Sequence, residues 1–187
     1  MLSELLKKLL FVRQFSMADG KIEILGNRHI MLSDSALLEL QEIDETKFYE
    51  LMKSSALKQM QDFVEHAKVY KHLKETVLVD IDNLSRKLGS AEGIVKTLQD
   101  IFSLYGLGII EIPSLDNSRK RAVIRIREST IAHAYLKQHR KNSNKPVCVI
   151  TAAVLAGIFS YLFKKQVDAA EVRCLAKGNS YCEFVVE

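Results

Sequence analysis

The residues of this sequence best equipped for chemistry are its three cysteines, Cys148, Cys174 and Cys182, all close to the C-terminal end. Cysteines confined to one short stretch point to a local site rather than to scattered core thiols, although small buried hydrophobes are the commonest use of a free cysteine. Cys148 follows Lys145-Pro146-Val147 and opens a charge-free apolar run through Phe163. Placed in the first turn of a helix, its thiol pKa would be lowered by the helix dipole, which favours thiolate. Cys174 and Cys182 flank a short turn. If Lys177-Gly178-Asn179 is a three-residue hairpin loop, Ala176 faces Ser180 and Cys174 faces Cys182. Side chains directly opposed in this way have Cβ atoms about 4.5–5.5 Å apart, close enough for a disulfide or a shared metal.

The composition favours the metal. An odd cysteine count and no secretory signal fit a reducing, cytoplasmic setting; Met1 to Phe15 carries lysines inside its apolar run and has no cleavage site. Thiolates select zinc among the common ions. Three cysteines leave one tetrahedral position open. Asp168 lies six residues before Cys174, on the same face of a regular strand. Glu171 lies three before it, on the opposite face unless a bulge re-aims it. Spacing alone favours Asp168.

The elements that position these residues are legible in the hydrophobic pattern. Met1 to Leu10 has leucines at helical spacing. Phe15 to Met17, the turn Ala18-Asp19-Gly20-Lys21, and Ile22 to Ile24 read as a hairpin, with a third short strand expected at His29 to Leu32. Ser33 is placed to cap a helix through Leu40. Asp44 to about His72 carries an apolar stripe that includes Phe48, Leu51, Leu57 and Met60. Helices are expected at Thr76 to Leu88 and Ser90 to Tyr105, and strands at Leu107 to Ile112 and Arg121 to Arg127. In the second strand Ala122, Ile124 and Ile126 alternate with arginines. Thr130 to Lys137 reads as a short helix, Pro146 to Lys164 as a buried core helix with small residues Ala153 and Gly157 on one face, and Val167 to Val186 as a final hairpin. The fold expected is α+β: an antiparallel sheet of about four strands packed against several helices, with an N-terminal helix and hairpin extension. We divide the chain at 1–44 and 45–187.

Other chemistry is missing. The sequence has no HExxH, P-loop, GxSxG or GxGxxG, and Gly106-Leu107-Gly108 reads as a turn. The five histidines share no partner spacing. The basic set Arg119, Lys120, Arg121, Arg125, Arg127, Lys137, Arg140 and Lys141 lacks interleaved aromatics, and the net charge is only +4. A solvated sheet edge accounts for it more simply than a nucleic-acid surface does. No catalytic residue and no self-sufficient enzyme is expected.

The pattern Pro146-Val147-Cys148, a small-residue apolar helix, then Glu171-x-x-Cys174-x-x-x-Gly178-x-x-x-Cys182-x-Phe184 resembles the 4-vinyl reductase-like, hydrocarbon-binding domain family, in its small archaeal type. The strong part of the likeness spans about Lys145 to Val185; a weaker part reaches back to about Leu73. It implies a fold similar to TRAPP vesicle-tethering subunits and a structural zinc on Cys148, Glu171, Cys174 and Cys182, which sets aside Asp168. It also implies a cavity for a small hydrophobic molecule, for which Phe102, Tyr105, Ile124, Ile126, Phe159 and Phe163 are candidate walls, with Tyr105 and Tyr161 as polar groups. A sensor or carrier acting through a partner is the expected function. A subunit of a tetrapyrrole or vinyl reductase, or an assembly adaptor, is the alternative. The apolar N-terminal residues Leu2, Leu5, Leu6, Leu9, Phe11 and Phe15 point to a homodimer, because such surface is usually covered.

Overall fold

The computed structural model describes residues 15–24, 27–73, 98–99, 101–103 and 105–187. The expected helices at Met1 to Leu10 and Thr76 to Leu88, and most of the one at Ser90 to Tyr105, lie outside them. The chain divides into two units. One contains the described residues of Met1–Leu32 and Phe63–Tyr105; the other contains Ser33–Asp62 and Gly106–Glu187.

The first unit holds a three-stranded antiparallel meander, β1 (Phe15–Ala18), β2 (Lys21–Ile24) and β3 (Asn27–His29). Ala18 pairs with Lys21, so Asp19-Gly20 is a two-residue turn. Both central residues have positive φ, 53° and 71°, the geometry whose twist matches paired strands. The third strand sits earlier than expected. His29 already pairs with Ile22 near the start of β2, which leaves Ile30 and Met31 beyond the ladder and exposed.

The second unit begins with α1 (Asp34–Ile43). Its N-cap Ser33 accepts a hydrogen bond from the Ala36 amide, satisfying one of the donors a helix start leaves free. Asp44 ends α1 and accepts from the Lys47 amide, so it also starts α2 (Glu45–Leu73). A four-stranded antiparallel sheet follows, in the order β4-β5-β7-β6. Its strands are β4 (Ile109–Asp116), β5 (Arg121–Arg127), β6 (Ala169–Arg173) and β7 (Cys182–Val186). The first of these runs on to Asp116, past the expected end at Ile112. The alternation in β5 is realised: Ala122, Ile124 and Ile126 are buried and pair with Val186, Phe184 and Cys182, which are buried too. The arginines fall on the other face and find carboxylates, Arg121 with Glu187, Arg125 with Glu183 and Arg127 with Glu111. That is the solvated sheet face expected from the composition.

Between β5 and β6 come α3 (Thr130–His139), on which α1 packs, and α4 (Val149–Phe163), which packs on β6 and β7. Sequence reading starts α4 at Pro146 and puts Cys148 in its first turn. The helix begins at Val149, and Cys148 is its N-cap, with φ −89° and ψ 52°. Leu155, Ile158, Phe159 and Phe163 of α4 are buried, and burying each such side chain stabilises by about 1.5–3 kcal/mol. At Gly157 a Cβ would press on the Lys53 carbonyl and lie 2.8 Å from Ala56 Cβ, so the absence of a side chain lets α2 cross α4 backbone to backbone. No helix among the described residues is long and apolar enough to cross a membrane.

Candidate metal centre

Three elements bring four side chains together. The N-cap of α4 supplies Cys148, β6 supplies Glu171, the residue after β6 is Cys174, and β7 opens with Cys182. One ligand atom from each lies within 4.8 Å of all the others. All three cysteines are free and buried.

The position of Glu171 depends on an irregularity in β6. Glu171 pairs with Phe184 and Arg173 with Glu183, so the ladder shifts by one residue at Val172. In a regular strand residues three apart face opposite ways. The bulge inserts one extra residue and turns Glu171 and Cys174 to the same side, while Val172 is left half-exposed. Asp168, favoured by regular spacing, goes elsewhere. Its Oδ1 accepts from Lys53 Nζ at 2.5 Å and from the Tyr49 hydroxyl at 3.2 Å, and most of its side chain is exposed.

Cys174 and Cys182 are joined by a 3-10 turn, Leu175–Lys177, not by the expected three-residue hairpin loop. The turn is closed by Gly178 at φ 92°, which favours glycine. Asn179 Oδ1 accepts from the Cys174 amide at 3.2 Å, and the Leu175 amide donates to Cys182 Sγ at 3.3 Å. The Ser143 amide donates to the Ala176 carbonyl at 2.8 Å, tying the segment before α4 to the same turn.

Two polar residues that sequence reading passes over also shape the site. Gln41 of α1 is buried; its Nε2 donates to the Val147 carbonyl at 2.6 Å and its Oε1 accepts from the Ile150 amide. It therefore grips the backbone on both sides of Cys148. The available signal was a glutamine three residues after the buried Leu38, on the apolar side of α1. Ser129 is the N-cap of α3, and its Oγ lies 3.3 Å from Cys148 Sγ.

The cluster is underfilled as protein alone. The Cys148 amide donates to Glu171 Oε2 at 2.9 Å, but Oε1 is buried with no hydrogen-bond partner. A buried carboxylate oxygen left unpaired is costly, and such a group calls for an ion or water. Burial, and then the charge of Cys174, pushes the Glu171 carboxyl up to about 7. Hydrogen bonds to Cys174 and Cys182, with burial, raise the Cys148 thiol well above its ordinary value. Cys174 falls to about 2 because Cys148 and then Cys182 donate to it. Four adjacent acids thus hold little negative charge on their own, and a divalent cation would let all four ionise. The sulfur atoms of Cys148 and Cys182 are 3.6 Å apart. A tetrahedral zinc with Zn–S near 2.3 Å sets that edge at about 3.8 Å, so the cluster can bind such a metal.

Residues 122–187 match the 4-vinyl reductase domain family. This segment is a domain of that family. All four cluster residues fall inside it. Two uncharacterized proteins of Methanocaldococcus jannaschii are similar to the chain. One is 22% identical over 96 residues, 51% of each chain, and the other 27% identical over 90 residues, 48% of this chain and 44% of that one. The chain thus spans about half the length of these relatives. Among solved structures, the phenol-responsive sensory domain of the transcription activator PoxR, determined with phenol, is similar in fold. The TM-score is 0.66 at 16% identity, covering 98% of this chain and 90% of that one.

The candidate wall residues do not all fall together. Ile124 and Ile126 on β5, with Phe159 and Phe163 on α4, are buried in the unit that carries the cluster, and the two phenylalanine rings are 5.3 Å apart. Phe102 and Tyr105 belong to the other unit. Phe102 is buried there, whereas Tyr105 is partly exposed, its ring 6.0 Å from that of His29.

Proposed function

We propose that the chain is a zinc-holding module that binds a small hydrophobic molecule, a sensor or carrier whose output passes through a partner. The observation that carries the metal half is the unpaired, buried Glu171 Oε1 beside three buried thiols. Cys148, Glu171, Cys174 and Cys182 would be the ligands. Four protein ligands close a tetrahedral zinc and leave no position for substrate water, so its part is structural: it would fix β6, β7 and the start of α4 to one another. The ligand half is supported by the 4-vinyl reductase segment and by the fold shared with a sensory domain. Ile124, Ile126, Phe159 and Phe163 are the walls we assign to a ligand site in the unit that holds the cluster, in keeping with the mainly hydrophobic lining of such sites.

We further propose that 1–44 is an appendage to a ligand-binding domain at 45–187, with α1 as the part that docks on that domain, and that the protein is a homodimer in a reducing, cytoplasmic compartment. Sedimentation giving a monomer at tens of micromolar would exclude the dimer. A thermal-shift screen of fatty acids, isoprenoids, tetrapyrroles and simple aromatics tests the ligand. A molecule that binds only the folded state stabilises it by about 2.7 kcal/mol at a hundred times Kd. If no compound raises the melting point, the binding reading fails and an assembly adaptor takes its place.

A further inference from the structure

We infer that Ser129 is a positioning residue of the metal centre, its hydroxyl donating to the Cys148 sulfur when a metal is bound. This inference rests on the metal reading given above. Three thiolates and a carboxylate around a divalent cation leave two negative charges in a buried site, and buried charge of that kind needs hydrogen-bond donors around it. The protein supplies one to each sulfur. The Leu175 amide donates to Cys182, the Val147 amide to Cys174, and the Ser129 hydroxyl faces Cys148 at 3.3 Å. Two of these donors are backbone; Ser129 is a side chain, and so open to substitution.

The direction of the third bond follows from what Ser129 already does. As N-cap of α3 its Oγ accepts from the Ala132 amide at 3.5 Å. That uses a lone pair and leaves the hydroxyl proton free for the sulfur. A metal-bound thiolate has no proton to give, so the serine must be the donor. The residue is fully buried, and no solvent competes for the bond.

The backbone around Ser129 is built to deliver it. Ile126, opposite Cys182, closes the sheet register, and the chain must turn sharply within three residues to face Cys148. It does so through Glu128, which is non-glycine at φ 54°, a conformation uncommon for such residues. Gly108 makes room for the turn. At φ 118°, a Cβ there would sit 2.9 Å from the carbonyl oxygens of both Arg127 and Glu128. A glycine pair that reads as an ordinary turn in the sequence thus frames the approach of Ser129 to the cluster.

The test uses the full chain loaded with cobalt(II), whose thiolate charge-transfer bands report electron density on sulfur, together with zinc competition against a chromophoric chelator. Ser129→Ala should shift the charge-transfer band and weaken zinc about 10- to 100-fold, the usual effect of removing a group that hydrogen-bonds a ligand. Ser129→Thr, which keeps both cap and hydroxyl, should resemble the unaltered protein. A residue that only caps α3 would lower the melting temperature with and without metal alike and leave the band where it was; that result overturns the inference. Should Ser129→Ala not fold, cadmium-113 protein of unaltered sequence decides the matter. A scalar coupling between the Ser129 hydroxyl proton and cadmium supports the bond, and its absence overturns it. A protein that shows no thiolate–cobalt band at all would instead refute the metal centre itself.

Discussion

Gly157→Ala sets two opposing effects against each other, and the packing of α2 on α4 decides the sign. Replacing a glycine inside a helix by alanine stabilises it by about 1 kcal/mol through backbone entropy, which predicts a gain. The new Cβ, however, would press on the Lys53 carbonyl and stand 2.8 Å from Ala56 Cβ and 2.9 Å from the Leu57 amide nitrogen. Carbon atoms in good contact are about 3.5–4.0 Å apart, so α2 must retreat by about an ångström along a line where backbone, not a flexible side chain, is in the way. Overpacking of this kind costs about 1–3 kcal/mol, and a backbone obstacle puts it at the upper end. The net is a loss of about 2 kcal/mol. At about 2–4 °C per kcal/mol for a chain of this size, the melting temperature falls by about 4–8 °C. Thermal and urea unfolding of the two proteins, in the same metal state, measures it. Equal or greater stability in the alanine variant would show that the helices are not packed this closely, and the reasoning would be wrong.

Other expectations follow from the same contacts. Glu171→Gln should weaken metal binding far more than Asp168→Asn, measured by chelator competition; the reverse order would mean that the bulge at Val172 does not turn Glu171 inward. Gln41→Leu removes the grip on Val147 and Ile150 at a buried position, and should cost about 1–3 kcal/mol in unfolding free energy and speed loss of metal; unchanged values for both would remove Gln41 from the account. Asp168, held below the usual carboxylate range chiefly by its hydrogen bond from Lys53, gives stability that is present above its ordinary pKa and lost as pH falls through the folded one. With Asp168 largely exposed this is worth about 1 kcal/mol or less, so Asp168→Asn should flatten the acid limb of the stability profile slightly and leave pH 7 to 9 parallel to the unaltered protein.

The parts of the fold set by local rules were readable in the sequence. The Asp19-Gly20 turn, the Ser33 cap, the alternation at Ala122, Ile124 and Ile126, and the nearly charge-free α4 each declare themselves through residue type or period. Clustering of Cys148, Cys174 and Cys182 was also visible, and so was the close approach at Gly157. Non-local features were not. The bulge that brings Glu171 beside Cys174 arises from pairing with β7, and regular spacing chose Asp168 in its place. The start of α4 at Val149 depends on Gln41, a hundred residues earlier in the chain. Ser129 could be read as a helix cap, but its sulfur partner lies on another element. The apolar N-terminal stripe from Leu2 to Phe11 lies outside the described residues.

The central claim is that Cys148, Glu171, Cys174 and Cys182 hold one structural zinc. Native mass spectrometry of the intact chain, purified without chelator or added metal, tests it most directly, with the same sample unfolded in acid as reference. The account predicts one zinc per chain, lost in acid and absent from Cys174→Ser, which should also unfold far more readily because binding energy at such a site is folding energy. A folded protein of metal-free mass, with three titratable thiols and stability unchanged by Cys174→Ser, would contradict it.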